Sequence, residues 1–130
     1  MFEALNLDAK QVAKEEEAIR LTVRELSDAQ RLVFYESLSE QLKDPDTYAM
    51  LNYFFLTGLH HMYLGNYTRG AINMSLLLAG IVLAISGAFI FGGLIIVFIV
   101  CVEMMALFRS QVVVQDHNNK LSRKILSSLD

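Results

Sequence analysis

Residues 70–102 read GAINMSLLLAGIVLAISGAFIFGGLIIVFIVCV, 33 consecutive positions without Asp, Glu, Lys or Arg between Arg69 and Glu103. An unbroken helix of that length would run roughly 50 Å, well past a hydrocarbon core of about 30 Å. A water-soluble chain of 130 residues has too little interior to hide it. The sequence therefore predicts an all-α integral membrane protein. The run should break at Ser86-Gly87-Ala88-Phe89-Ile90-Phe91-Gly92-Gly93, where small residues permit a tight turn. That leaves residues 71–86 and 92–109 as an antiparallel hairpin of two short spans. One span starting at Ala71 would leave the rest of the run unaccommodated. Gly80, Ala84, Ala88 and Gly92 recur every four residues, giving a small helix face on which backbones can approach closely.

Outward from the run, charge divides the chain into three. Residues 1–48 carry 11 acids and 6 bases, residues 49–108 hold only Arg69 and Glu103, and residues 109–130 carry 4 bases and 2 acids. The partition is an acidic arm over residues 1–46, a membrane domain over 47–109 and a basic tail over 110–130. Hydrophobic residues make up 54% of the chain and charged residues 19%. A net charge of −3 gives no general footprint for nucleic acid. The lone Cys101 excludes an internal disulfide framework. The first residues, MFEALNLDAKQVAKEEE, have neither a basic start nor an apolar stretch, so no cleavable signal peptide is expected.

The arm reads as two helices. Asp8 with Gln11, and Ser27 with Gln30, are N-cap patterns that open helices over about 8–25 and 28–43. Leu5, Val12, Ile19, Leu26 and Val33 recur every seven residues, but Glu16 and Gln30 stand where a coiled coil needs its second apolar line. Two amphipathic helices folded on each other or on the membrane core are expected, with self-association of the arm as the alternative. The run Glu15-Glu16-Glu17 reads as a solvated face. Asp44-Pro45-Asp46 marks the next boundary, with Pro45 suited to the first helical position and Asp44 to its cap. The segment 47–64 that follows is apolar but interrupted by Asn52, Thr57, His60 and His61, so it is either an interfacial helix or a third span. Tyr48, Tyr53, Tyr63 and Tyr67 suit an interfacial position.

Basic residues set the orientation. The turn near residues 86–93 has none, whereas the arm, the 65–70 link and the tail hold every Lys and Arg. If 47–64 lies in the interface, arm and tail share the cytoplasmic side; if it spans, they lie on opposite sides. The charges favour the first arrangement, and the short chain with no signal peptide suggests the inner membrane of a prokaryote.

The run Gly58-Leu59-His60-His61-Met62-Tyr63-Leu64-Gly65, with Gly70 following, resembles the signature of the TM-two domain family. Gly58, His60, Tyr63, Leu64, Gly65 and Gly70 match by position. His61 stands in place of the family's Arg, Met62 in place of its Phe, and Glu103 in place of an Asp, with no Trp before it. Asn118 or Asn119 is the counterpart of an Asn that often follows. The resemblance spans about residues 49–119 and leaves the arm outside. It implies paired membrane helices joined by a short link, and supplies no catalytic mechanism. The family's Arg/Asp pair becomes His/Glu here.

Glu103 is the most informative single residue. It lies six positions inside Arg109, within the apolar zone, where a carboxylate is costly unless paired, neutral or near water. A polar pairing of Glu103 with His60 or His61 is expected to fix the link against the last helix. The alternative is a snorkelling or protonated Glu103. His60, His61, Cys101, Glu103 and His117 invite comparison with a metal site. Adjacent histidines on a helix diverge by about 100°, however, and the i, i+4 spacing is lacking. Neither metal nor cofactor is expected, and Cys101 reads as a small core residue. Ser75 and Ser86 have no evident base, and no phosphate-binding loop occurs, so no catalytic residue and no enzymatic activity are expected. Leu121, Ile125 and Leu129 suggest a short amphipathic tail helix. These readings converge on a small membrane scaffold or adaptor, partnered by lipid and assembling with itself or another membrane protein through small-residue membrane faces and the helical arm. A subunit of an oligomeric pore or transporter, with a polar site around Glu103, His60 and His61, is the alternative.

Overall fold

The computed structural model describes residues 6–54 and 58–129, and among these every regular element is helical. The helices are α1 (Ala9–Glu25), α2 (Asp28–Gln41), α3 (Pro45–Phe54), α4 (Leu59–Tyr63), α5 (Tyr67–Ile85), α6 (Phe89–Phe108) and α7 (Ser110–Leu126). Their starts follow local chemistry. The Asp8 carboxylate accepts from the Lys10 N–H at 2.9 Å and opens α1. Ser27 and Gln30 form a reciprocal capping box at α2, with the Gln30 N–H donating to Ser27 Oγ and Gln30 Oε1 accepting from the Ser27 N–H. At α3 the Asp44 carboxylate accepts from the Thr47 N–H at 2.6 Å and from the Thr47 hydroxyl at 2.7 Å. The Thr47 hydroxyl and backbone N–H hold that carboxyl below its ordinary pKa.

Among the described residues, helices α5 and α6 are the two elements long and apolar enough to cross a membrane. Only 17% and 22% of their apolar windows are buried within the chain. Most of their apolar surface is therefore left uncovered by the rest of the described chain. Ile85, Phe89, Ile90, Phe91 and Phe108 are all at least 70% exposed. Both helices run longer than predicted at their N-terminal ends. Gly87 alone, at φ 98°, reverses the chain, so the turn needs no more than Ser86-Gly87-Ala88. Gly92 and Gly93 are thereby freed to lie inside α6.

The four small residues do not form one face of one helix. Gly80 and Ala84 lie on α5, Ala88 caps α6 and Gly92 lies within it, so they meet across the hairpin. A Cβ on Gly92 would stand 2.5 Å from the Gly80 carbonyl oxygen and 2.6 Å from the Ala84 nitrogen. The small surface closes this hairpin on itself.

Over 47–64 the described residues form two short helices. Helix α3 has 10 residues and α4 has 5, and Gly58 before α4 takes the left-handed conformation at φ 85°. Thr57 lies outside the described residues. Tyr53 and Tyr67 are exposed, whereas Tyr48 is 1% exposed and packs with Leu64 and Val114.

Arm and tail form a helical head at one end of the hairpin. The tail helix is longer than the sequence suggested, 17 residues from Ser110, because α1 and α2 supply it with an apolar partner surface. Val23, Phe34 and Ile125 make the core, with Ile19, Leu26, Leu38, Leu121, Leu126 and Leu129 packed around them. The heptad stripe is thus spent on the tail, except that Val33 turns outward at 47% exposure; Leu5 lies outside the described residues. Polar ties fix the register. Asn118 bridges both backbone groups of Lys43, accepting from its N–H at 3.0 Å and donating to its carbonyl at 2.9 Å. Buried Asn119 donates to the Val12 carbonyl at 2.9 Å. Arg123 pairs with Glu15, which leaves the expected solvated face, and Arg109 donates to the Leu7 carbonyl. Phe34→Ala should cost about 3–5 kcal/mol, the usual range for emptying an aromatic site. Limited proteolysis in mild detergent should then cut the arm first while the hairpin stays protected.

Candidate functional site

The polar residues of the middle of the chain converge where α3, α4, α5 and α6 meet. Glu103 is 1% exposed and His60 is fully buried. Glu103 Oε2 lies 2.6 Å from His60 Nε2, and Oε1 lies 3.5 Å from His61 Nε2. The Asn73 amide of α5 donates to Oε1. The Asn52 amide of α3 donates to the Glu103 carbonyl at 2.9 Å, pinning the backbone as well as the side chain. Tyr48 sets its ring edge against His60, with centroids 5.1 Å apart. A carboxylate stripped of water is tolerable only with such compensation.

The first contact has an unusual geometry. At 2.6 Å His60 Nε2 and Glu103 Oε2 are close, yet the pair does not meet the geometry of a hydrogen bond. His60 Nδ1, His60 Nε2 and Glu103 Oε2 all remain buried without a hydrogen-bond partner.

The signature-like residues build the joint that holds these groups. Gly58, at φ 85°, lies against α5, where an added Cβ would stand 2.9 Å from both the Gly70 oxygen and Asn73 Cβ. Gly70 in turn gives way to Met62. Gly65, at φ 79°, turns the chain from α4 into α5. Leu64 is buried, and the Tyr63 hydroxyl accepts from the Asp44 N–H at 2.9 Å. The six positions, all within residues 58–70, thus shape one corner, with Gly65 exposed at its turn.

The structure brings together His60, His61 and Glu103 and leaves the other candidates outside. Cys101 is exposed on α6, not in a core as its apolar neighbours suggested, because the helix buries only one narrow face. The two adjacent histidines do not diverge to separate surroundings. Their ring centroids are 4.1 Å apart, since both side chains swing from the short helix α4 onto the same carboxylate. Asn73 is the site residue that sequence reasoning missed. Its signal was an amide standing just inside an otherwise apolar run.

A cavity of about 200 Å³ reaches the site from the side of the head, lined in part by His61, Glu103, Arg69, Asp116, His117 and Lys120. Lys120 and Asp116 pair at 2.7 Å on its wall. Burial, with Lys43 and Lys120 nearby, pushes the His117 imidazole below its ordinary pKa, and Asp116 opposes them. Comparison with known proteins found no matching family model, no similar curated protein and no similar solved structure.

Proposed function

We propose that this chain is a small, non-enzymatic membrane scaffold or adaptor. The α5–α6 hairpin is the anchor, lipid covers its outward apolar faces, and the arm–tail head works at the membrane surface. Two apolar helices with little of their surface buried inside the chain support the anchor. The docking of α1 and α2 on α7 supports a shared side for arm and tail, which the basic residues make cytoplasmic, in a prokaryotic inner membrane. The packed Gly58–Gly70 corner supports membership in the TM-two group, whose signature positions all serve that joint.

The observation that carries the adaptor reading lies on α2. This helix turns Phe34 inward and leaves Leu32, Val33 and Tyr35 outward, with Leu32 70% exposed. The small-residue surface is consumed within the hairpin, so assembly with a second copy or a partner falls to this head. Mass measurement in mild detergent with cross-linking tests it. An oligomer or a stable partner complex, lost on Leu32→Glu with Tyr35→Glu, is the expected result. A monomer that retains no partner removes the reading.

The cavity that opens onto Glu103 favours a second reading, a subunit of an oligomeric pore or transporter. Ion flux in proteoliposomes, abolished by Glu103→Gln, would move the conclusion to it; impermeable vesicles would leave the adaptor.

A further inference from the structure

We propose that His60, His61 and Glu103 form a binding site for one divalent transition-metal ion, with zinc the best match. One candidate ligand atom from each residue lies within 4.8 Å of the other two. Bonds of about 2.0–2.1 Å in a tetrahedral site set donor atoms about 3.3 Å apart. His60 Nε2 lies 2.6 Å from Oε2 and His61 Nε2 lies 3.5 Å from Oε1, on either side of that spacing though at different carboxylate oxygens. Small side-chain movements suffice to close the set.

The unaligned contact is the second observation. Two lone-pair-bearing atoms 2.6 Å apart repel unless something positive lies beside both. His60 Nε2 and Glu103 Oε2 are both buried without a hydrogen-bond partner, so the cluster holds polar atoms that a bound cation would satisfy. The surroundings are those of a built site. Asn73 orients the carboxylate from behind, as outer groups commonly do for metal ligands, and Asn52 fixes its backbone. Burial raises the worth of every charge contact here. The cavity provides an entry path and room for a water at the fourth position. Two imidazoles with a carboxylate suit zinc and its transition-metal neighbours, and disfavour magnesium and calcium, which prefer all-oxygen shells.

This inference goes beyond the adaptor reading and does not depend on it, because metal content is read without reference to partners or mass. The test uses the full chain in mild detergent, stripped with chelator, reloaded with zinc chloride and desalted. Elemental analysis should find about one zinc per chain, with no comparable uptake of magnesium. Cobalt substitution should give the strong visible absorption of a low-coordinate nitrogen–oxygen site. Glu103→Gln and His61→Phe should each weaken zinc binding at least ~10-fold, as loss of a ligand or its support does, whereas Cys101→Ser should leave it unchanged. His61 is the least buried of the three, so its variant keeps the test open if Glu103→Gln does not fold. Folding is checked by helical circular dichroism. Substoichiometric zinc in the wild type overturns the proposal, as does full zinc retention in folded His61→Phe.

Discussion

Replacing Glu103 by Gln is expected to cost about 3 kcal/mol of stability, measured by denaturant titration in detergent with chelator present. The reason is that Glu103 is the hub of four elements. It receives Asn73 from α5, faces His60 and His61 from α4, and gives its carbonyl to Asn52 of α3. Removing one partner of a buried polar cluster leaves the others desolvated and unmatched, which typically costs about 3–5 kcal/mol. A glutamine keeps the shape and one acceptor, so the lower end applies. The decisive measurement is the cycle with His60→Phe. Residues in contact should show a coupling of about 1–3 kcal/mol, whereas simple addition of the two single effects would mean that the 2.6 Å contact contributes nothing. Chelator confines the result to the protein's own groups, so it stands apart from metal binding.

The second large effect is expected at Gly92. In Gly92→Ala the new methyl would meet backbone atoms at 2.5 Å and 2.6 Å, and backbone cannot rotate away as a side chain can. Overpacking of this kind costs about 1–3 kcal/mol, and Gly92→Leu should separate α5 from α6 outright. Gly93→Ala is the matched control. Its Cβ meets nothing within 4 Å, so the gain in helix propensity, about 0.5–1 kcal/mol, should appear as a small stabilisation. Equal effects at Gly92 and Gly93 would show that the two helices do not pack there.

The same two sites show what patterning carries and what it does not. An uncharged run, a capping residue or a heptad stripe is a local property, and each set its element within a few residues. The boundaries slipped where a tertiary contact competed with local chemistry. Gly92 looked like a turn residue because glycine permits turns; it lies in a helix because the Gly80 carbonyl comes too close for any side chain. Spacing along an idealised helix likewise kept His60 and His61 apart. That argument holds for a long straight helix and fails in one of 5 residues whose side chains reach toward one buried charge.

Sequence alone determined the apolar hairpin, the amphipathic arm and the oddity of an acid inside an apolar helix. Hydrophobic burial and helix capping act over a few residues, and those residues are adjacent in the chain. Only the tertiary structure decided that the tail seats the arm, that the small residues face one another across the hairpin, and that Asn52, His60, His61, Asn73 and Glu103 meet. These outcomes depend on which surfaces find each other after the helices form. Buried Glu103 draws partners from three other elements because desolvation makes every unpaired alternative costlier, and no local pattern records that choice.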